Sequence, residues 1–162
     1  PYVQNVLREF ALYQKNVPAL LTKPLRQIHL GGGTPTFLSA EQLEILVSGL
    51  LKNLKIDPKH FEGSVEVDPR RTKAEQLAVL YKLGFKRISL GVQDFDPEVQ
   101  RLVNRMQPFE QTQEITMTAR RLGYESVNFD LIYGLPKQRL DSFRQTIERT
   151  IELKPDRIAL YS

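Results

Sequence analysis

The stretch Gln27-Ile28-His29-Leu30-Gly31-Gly32-Gly33-Thr34-Pro35 indicates how the chain folds. Its first four residues have the pattern of a short buried strand, and three glycines end that strand. Shortly afterwards, Ser39 and Gln42 have the spacing of a capping box, which predicts that a helix begins there. A strand, a glycine loop and a helix in this order form one βα unit.

The same unit recurs along the chain. Strands are predicted at residues 27–30, 64–67, 87–92, 127–132 and 157–160. Helices are predicted at residues 3–14, after the Ser39 box, after a second capping box at residues 72–75, after the cap formed by Asp96 and Pro97, and at residues 110–122 and 140–153. Units of about 25–40 residues predict parallel strands joined by helical crossovers. A doubly wound sheet and part of a (β/α) barrel both satisfy this pattern, and since no linker divides the chain we expect residues 1–162 to form a single domain.

The composition excludes several classes of protein. The 162 residues carry 23 Lys and Arg against 19 Asp and Glu, a net charge of +4, and include no cysteine. Without cysteine, the chain itself holds no disulfide, thiol nucleophile, cysteine-bound zinc or iron–sulfur cluster. No apolar run approaches the ~20 residues of a membrane span, the first residues do not resemble a signal peptide, and no cluster of Lys and Arg alternates with aromatic residues. We therefore expect a cytoplasmic protein that binds neither membranes nor nucleic acids.

Polar residues follow the predicted strands where each of them ends. The second strand ends with Glu66 and Asp68, the third with Gln93 and Asp94, and the fourth carries Asp130. In parallel α/β folds, ligands bind at the carboxyl ends of the strands, and these side chains suit hydroxyl or ammonium groups. Each also has a structural explanation; Asp68, for example, precedes a proline and would form an Asx turn. Their common position at one edge of the sheet predicts a ligand-binding rim.

Three further features allow two interpretations each. The triple glycine suits a backbone site for a carboxylate, an amine-bearing amino acid or a phosphate, and equally a tight turn between strand and helix. His29 lies inside a strand, where a core or barrel-facing histidine is favoured over a metal ligand, and no histidine spacing supports a metal site. Arg70 and Arg105 are either solvated charges or guanidinium groups that hold a carboxylate near the rim.

Five motifs occur in a fixed order and point to a known family. They are GGGTPT at residues 31–36, EVDPR at 66–70, GVQDF at 91–95, VQRLVNR at 99–105 and DLIYGLP at 130–136. As a set they resemble the radical S-adenosylmethionine enzymes and, within these, the oxygen-independent coproporphyrinogen III oxidases. The resemblance extends over residues 27–162, although GGGTP alone is shared by many radical S-adenosylmethionine enzymes.

This resemblance implies a partial TIM-like barrel of the (β/α)6 type and a defined reaction. In the family, three cysteines hold a 4Fe-4S cluster that takes an electron from a donor and cleaves S-adenosylmethionine to a 5′-deoxyadenosyl radical. The radical abstracts a hydrogen from a propionate of coproporphyrinogen III, and loss of CO2 and one electron leaves a vinyl group. Two such decarboxylations give protoporphyrinogen IX, a step of haem synthesis, and the family enzyme binds two S-adenosylmethionine molecules.

The resemblance also assigns cofactor-binding positions in this sequence: Gly32, Gly33, Thr34, Glu66, Gln93, Arg105 and Asp130. The glycine loop would meet the methionine ends of both cofactors through backbone groups. Glu66 would contact the first S-adenosylmethionine, and the last three residues would contact the second. No catalytic residue and no metal ligand is assigned within this chain.

The absence of cysteine departs from the family pattern. We therefore expect a fragment of about five parallel strands, strands two to six of the barrel, which is inactive alone and whose exposed first strand invites dimerisation although the parent would be monomeric. Two alternatives are also compatible with the sequence. One is a related radical S-adenosylmethionine protein that binds haem without oxidase activity, and the other is a phosphate-binding α/β enzyme.

Overall fold

A five-stranded parallel sheet forms the centre of the computed structural model, which describes residues 1–162. The strands are β1 (Pro24–Leu25), β2 (Gln27–Leu30), β3 (Lys55–Ile56), β4 (Glu62–Val67), β5 (Phe85–Gln93), β6 (Ser126–Ile132) and β7 (Arg157–Tyr161). The order in the main sheet is β2-β4-β5-β6-β7, and every neighbouring pair is parallel. Strands β1 and β3 pair in parallel as a separate two-stranded sheet.

Helices connect the strands of the main sheet, and two further helices precede the first strand. They are α1 (Tyr2–Asn16), α2 (Ala19–Thr22), α3 (Ala40–Leu51), α4 (Ala74–Lys82), α5 (Pro97–Leu102), α6 (Phe109–Leu122) and α7 (Leu140–Glu152), with a 3-10 turn at Pro35–Phe37. All five predicted strands and all six predicted helices are confirmed. The short elements β1, β3, α2 and the 3-10 turn were not predicted, because elements of two to four residues are too short to show a hydrophobic period. No helix is long and apolar enough to cross a membrane.

The two faces of the main sheet differ in polarity. Along β4, buried residues alternate with partly exposed ones, so that Val65 and Val67 lie on the buried face and Ser64 and Glu66 on the other. The neighbouring strands β5 and β6 show the same alternation. The buried face and the helices share one core of 18 hydrophobic residues. Because helices pack on only one face, the sheet is not doubly wound, and its polar face is the inner face of a partial barrel.

A helix begins where the sequence predicts it when the capping residue and its partner lie within the same turn. Ser39 caps α3: its hydroxyl accepts from the Gln42 N–H at 3.2 Å, and the Gln42 side chain accepts from the Ser39 N–H at 3.0 Å. This reciprocal pair satisfies two backbone donors that the first turn of a helix leaves free.

The second predicted capping box, at residues 72–75, was wrong. Helix α4 begins one residue later than predicted, with Lys73 as its N-cap, and the Gln76 side chain accepts from the Lys73 N–H at 2.7 Å. The hydroxyl of Thr72 instead donates to the Asp68 carbonyl at 2.8 Å and accepts from the hydroxyl of Thr36 at 2.8 Å. Tertiary hydrogen bonds have therefore taken the group that the sequence pattern assigned to the cap.

Candidate functional site

The candidate site lies on the inner face of the sheet, at the carboxyl ends of the strands. Glu66 on β4 pairs in register with Ser89 on β5, and Gly91, two residues further along β5, pairs with Asp130 on β6. Residues two apart on a strand lie on the same face, so Glu66, Ser89 and Asp130 line one surface. The predicted rim is thus formed by neighbouring strands, as expected for this kind of sheet.

The first half of the site joins the glycine loop to Glu66. One carboxylate oxygen of Glu66 lies 3.2 Å from Nε2 of His29, and the other accepts from the backbone N–H of Gly32 at 3.3 Å. The opposite ring nitrogen of His29, Nδ1, lies 2.8 Å from the hydroxyl of Ser64. Glu66 remains 44% exposed, so these contacts leave it accessible to a ligand.

The glycine loop leaves open space beside this carboxylate. A Cβ atom added to Gly32 or Gly33 would meet no atom within 4 Å, and Gly32 has a φ of +76°, which favours glycine. The loop borders a cavity of about 790 Å3 that Tyr2 of α1 and Leu46 of α3 also line. Thr34 lies beside this cavity and makes no side-chain hydrogen bond, while its carbonyl accepts from the Phe37 N–H at 2.8 Å.

The second half of the site is centred on Asp130. One oxygen of its carboxylate accepts from the hydroxyl of Ser89 at 2.8 Å, and the other accepts from the amide of Asn128 at 2.8 Å. Burial and the charge of nearby Glu66 raise the pKa of Asp130, against the two hydrogen bonds. Two carboxylates that repel each other across β5 would be stabilised by a ligand that carries positive charge.

Gly91 brings the remaining predicted residues together. A Cβ atom at this position would lie 2.9 Å from Nη2 of Arg105 and 3.2 Å from the side-chain amide nitrogen of Gln93. Arg105 also donates from Nη2 to the Gly91 carbonyl at 2.8 Å, and its buried Nε has no hydrogen-bond partner in the protein. Gln93 has a φ of +67°, a conformation that is rare outside glycine and concentrates at functional sites.

An ion pair lies beside Arg105. Arg70 donates to Asp68 from Nη2 at 2.6 Å and from Nε at 2.9 Å, and the Arg70 backbone N–H also donates to Asp68 at 3.0 Å. Burial alone would raise the pKa of Asp68, but these hydrogen bonds and the nearby guanidinium of Arg105, 3.7 Å away, hold it below its usual range. The predicted Asx turn at Asp68 is present, and the Asp68 carboxylate is paired with the side chain of Arg70.

Asp94 does not belong to the rim, contrary to the sequence prediction. It is 1% exposed, and its carboxylate accepts from the hydroxyl of Thr146 at 2.6 Å and from the backbone N–H of Asp96 at 2.7 Å. The side-chain amide of Gln138 donates to it as well. Asp94 therefore ties α7 and the loop after β6 to the end of β5, and its carboxylate is buried.

The structure groups the seven predicted binding positions in two halves. Glu66 adjoins the glycine loop, and Gln93, Arg105 and Asp130 surround Gly91. The sequence prediction missed Ser64, Ser89 and Asn128. A signal for them exists, because polar residues or glycine occupy every second position of S-V-E, S-L-G-V-Q and N-F-D, which marks one polar sheet face. No group of three or more His, Cys, Asp or Glu side chains is arranged to hold a metal ion.

Comparison with known proteins assigns the class. The chain belongs to the Radical SAM superfamily, whose family model matches residues 11–150. It is 45% identical to the oxygen-independent coproporphyrinogen III oxidase of Pseudomonas aeruginosa, over an alignment that covers 100% of this chain and 35% of the relative. The enzyme of the same name from Helicobacter pylori is 42% identical over 99% of this chain and 35% of the relative. The chain thus spans about a third of the length of the curated relatives it matches.

Solved structures agree with this assignment. Coproporphyrinogen III oxidase from Escherichia coli, described as a radical SAM enzyme, matches with a TM-score of 0.82 and 40% identity over 96% of this chain and 37% of that one. A radical S-adenosylmethionine methyltransferase from Kitasatospora setae matches with a TM-score of 0.70 at 16% identity, over 93% of this chain and 30% of that one, which shows a shared fold alone. The predicted partial radical SAM barrel is confirmed, and the phosphate-binding alternative is no longer a candidate.

The family implies S-adenosylmethionine and a 4Fe-4S cluster, and the residues present fit only the first. The open glycine loop, the two partly exposed carboxylates and the guanidinium of Arg105, whose side chain is 22% exposed, offer acceptors for hydroxyl and ammonium groups and a donor for a carboxylate. The chain has no cysteine, so it does not provide thiolate ligands for a cluster.

Proposed function

We propose that this chain is the S-adenosylmethionine-binding part of an oxygen-independent coproporphyrinogen III oxidase. The observation that carries the proposal is the pair of carboxylates, Glu66 and Asp130, on either side of β5. Each is held by hydrogen bonds and remains partly exposed, Glu66 beside the open glycine loop and Asp130 beside Gly91 and Arg105. The sulfonium and ammonium groups of S-adenosylmethionine supply the positive charge that offsets their mutual repulsion.

The two halves of the site would bind two cofactor molecules. Glu66 and backbone groups of Gly32, Gly33 and Thr34 would hold the first through its ribose hydroxyls and its methionine end. Gln93, Arg105 and Asp130 would hold the second, with the guanidinium paired to the methionine carboxylate. When bound, S-adenosylmethionine supplies the 5′-deoxyadenosyl group that accepts the hydrogen removed from the substrate.

The substrate would be coproporphyrinogen III. Each of two propionate side chains loses one hydrogen atom, one CO2 and one electron, and becomes a vinyl group, so the product is protoporphyrinogen IX. The electron that starts each cycle would come from a separate donor protein or small reductant. The electron that the substrate radical releases with CO2 would pass to a separate one-electron acceptor. In this scheme the residues of this chain bind and orient the cofactors and keep the site polar.

Cofactor binding is tested directly on this chain by calorimetric titration with S-adenosylmethionine. We expect binding to the unmodified chain and at least about tenfold weaker binding for Glu66→Gln and for Asp130→Asn, since each change removes a charged partner of the ligand. Glu41→Gln, on the exposed first turn of α3, is the matched control and should bind as the unmodified chain does. No heat of binding, or equal affinities for all variants, would contradict the proposal.

The activity is tested in a chimera in which these 162 residues replace the aligned segment of the Pseudomonas aeruginosa relative. With its cluster reconstituted, the chimera should form 5′-deoxyadenosine and convert coproporphyrinogen III to protoporphyrinogen IX. Stoichiometric haem binding without decarboxylation would instead support a haem-binding member of the family.

A further inference from the structure

We propose that His29 is a positioning residue that holds the carboxylate of Glu66 toward the ligand site. His29 lies on β2 and pairs in register with Ser64 on β4, and Glu66 follows two residues later on the same face. The ring therefore spans both side chains: Nδ1 is 2.8 Å from the Ser64 hydroxyl, and Nε2 is 3.2 Å from Oε1 of Glu66. No cofactor contact is needed for this arrangement, since all its atoms belong to the chain.

The partners of the two ring nitrogens assign the tautomer of His29. A carboxylate oxygen only accepts hydrogen bonds, so Nε2 carries the hydrogen that is directed at Glu66. In the neutral ring, Nδ1 is then the acceptor and the hydroxyl of Ser64 is its donor. Ser64 thus fixes both the rotation of the ring and the position of its proton, as a second hydrogen bond often does for a functional histidine.

Glu66 is consequently held at both oxygens by groups from one segment. Oε1 accepts from His29, and Oε2 accepts from the N–H of Gly32, three residues further along the chain. A glutamate that is 44% exposed would otherwise sample several rotamers and would lose that freedom when a ligand binds. Because the carboxylate is already held in place before binding, a ligand that contacts it binds with a smaller loss of side-chain entropy.

Gly31 is required by this arrangement because it has no side chain. A Cβ atom at this position would lie 2.5 Å from Nε2 of His29 and 2.8 Å from Oε1 of Glu66, where no real atom fits. Its φ is not in the left-handed region, unlike that of Gly32, so backbone conformation does not explain the glycine. The first glycine of the motif therefore makes space for the hydrogen bond between His29 and Glu66.

The first test compares S-adenosylmethionine affinities, and it rests on the function proposed above. His29→Leu removes both hydrogen bonds and should weaken binding about tenfold, the effect of one hydrogen bond to a charged group. His29→Gln keeps an N–H donor at the position of Nε2 and should restore affinity to within about threefold. His60→Leu, in an exposed loop away from the rim, is the control and should leave affinity unchanged. Gly31→Ala should behave like His29→Leu.

The second test needs no ligand. Long-range proton–nitrogen NMR spectra of the neutral imidazole should show His29 protonated at Nε2 and unprotonated at Nδ1, and Ser64→Ala should reduce this preference. A ring protonated mainly at Nδ1, or unchanged affinity in His29→Leu, would overturn the proposal. If the unmodified chain binds no S-adenosylmethionine but its ring shows an Nε2–H form that Ser64→Ala diminishes, the proposed function fails while the positioning of Glu66 by His29 stands.

Discussion

Asp68 shows how single residues of the rim are stabilised by neighbouring charges. Its pKa is below the ordinary value of 3.8 because hydrogen bonds from Arg70 and the charge of Arg105 outweigh the effect of burial. A carboxylate whose pKa is lower in the folded than in the unfolded chain contributes stability above the unfolded pKa, and this contribution is lost as the pH falls through the folded pKa.

We therefore expect Asp68→Asn to lower the free energy of unfolding by about 2 kcal/mol at neutral pH, because it removes charge-assisted hydrogen bonds and leaves two arginines close together. Urea unfolding at a series of pH values measures this. The difference from the unmodified chain should shrink as the pH falls from about 3.8, the ordinary pKa, through the lower pKa of Asp68 in the folded chain. Asp141→Asn, on the exposed first turn of α7, should change stability by less than about 0.5 kcal/mol. A deficit that is the same at all pH values would contradict this account.

The sequence predicted which kinds of side chain lie at the strand ends, but it did not predict which of them are engaged by other parts of the chain. Glu66 and Asp130 were predicted because a carboxylate at the end of a parallel strand has a default position at the ligand edge. Asp94 has the same position in sequence and is fully engaged by Thr146 and Gln138, residues more than 40 positions away. A pattern of neighbouring residues cannot show which carboxylate a distant helix will occupy.

Helix caps show the same limit at the scale of secondary-structure elements. The Ser39 box lies within four residues and was predicted, whereas the Thr72 box failed because Thr72 bonds to Thr36, which precedes it by 36 positions. The end of α6 again depends on a local sequence signal. Gly123 is its C-cap with a φ of +97°, in the left-handed region that glycine adopts without strain.

Gly123 also offers a test of what a left-handed glycine contributes when a neighbouring side chain lies close to it. A Cβ atom there would lie 2.5 Å from the Tyr81 hydroxyl, whereas at Gly134, with a φ of +81°, it would meet nothing within 4 Å. Gly134→Ala should therefore cost only the backbone strain, about 1 kcal/mol, and Gly123→Ala should cost more because Tyr81 must also move. Chemical denaturation of both variants measures the difference. Equal losses of stability in the two variants would show that Tyr81 moves aside without a measurable energetic cost.

At the scale of the whole molecule, the alternation of polar and apolar residues gives the two faces of the sheet different roles. The apolar face builds one core with the helices, and the polar face is left for ligands. The short period of two along β4 to β6 could have predicted this, but a single strand cannot show whether helices cover one face or both. That information lies only in the arrangement of all the strands.

The sheet has two free edges, β2 and β7, and they differ in what they expose. On β7, Ile158 and Leu160 share the core face with Phe129 and Leu131, yet they are 47% and 52% exposed. On β2, the apolar residues Ile28 and Leu30 pack against the core. An unpaired strand with uncovered apolar side chains is a template for association, so we expect any self-association of this chain to use β7 in preference to β2.

Leu160→Lys should therefore lower the weight-average mass that light scattering measures at high protein concentration, because it places a charge among the exposed apolar side chains of that edge. Gln27→Lys places the same charge on the exposed start of β2 and should leave the mass unchanged. Both substitutions replace an exposed or half-exposed side chain, so circular dichroism should show the same fold in each variant. If Gln27→Lys dissociates the chain and Leu160→Lys does not, association runs through β2, the edge expected from the sequence. A concentration-independent monomer would show that neither edge pairs, since exposed apolar area alone does not compensate for the lost freedom of two chains.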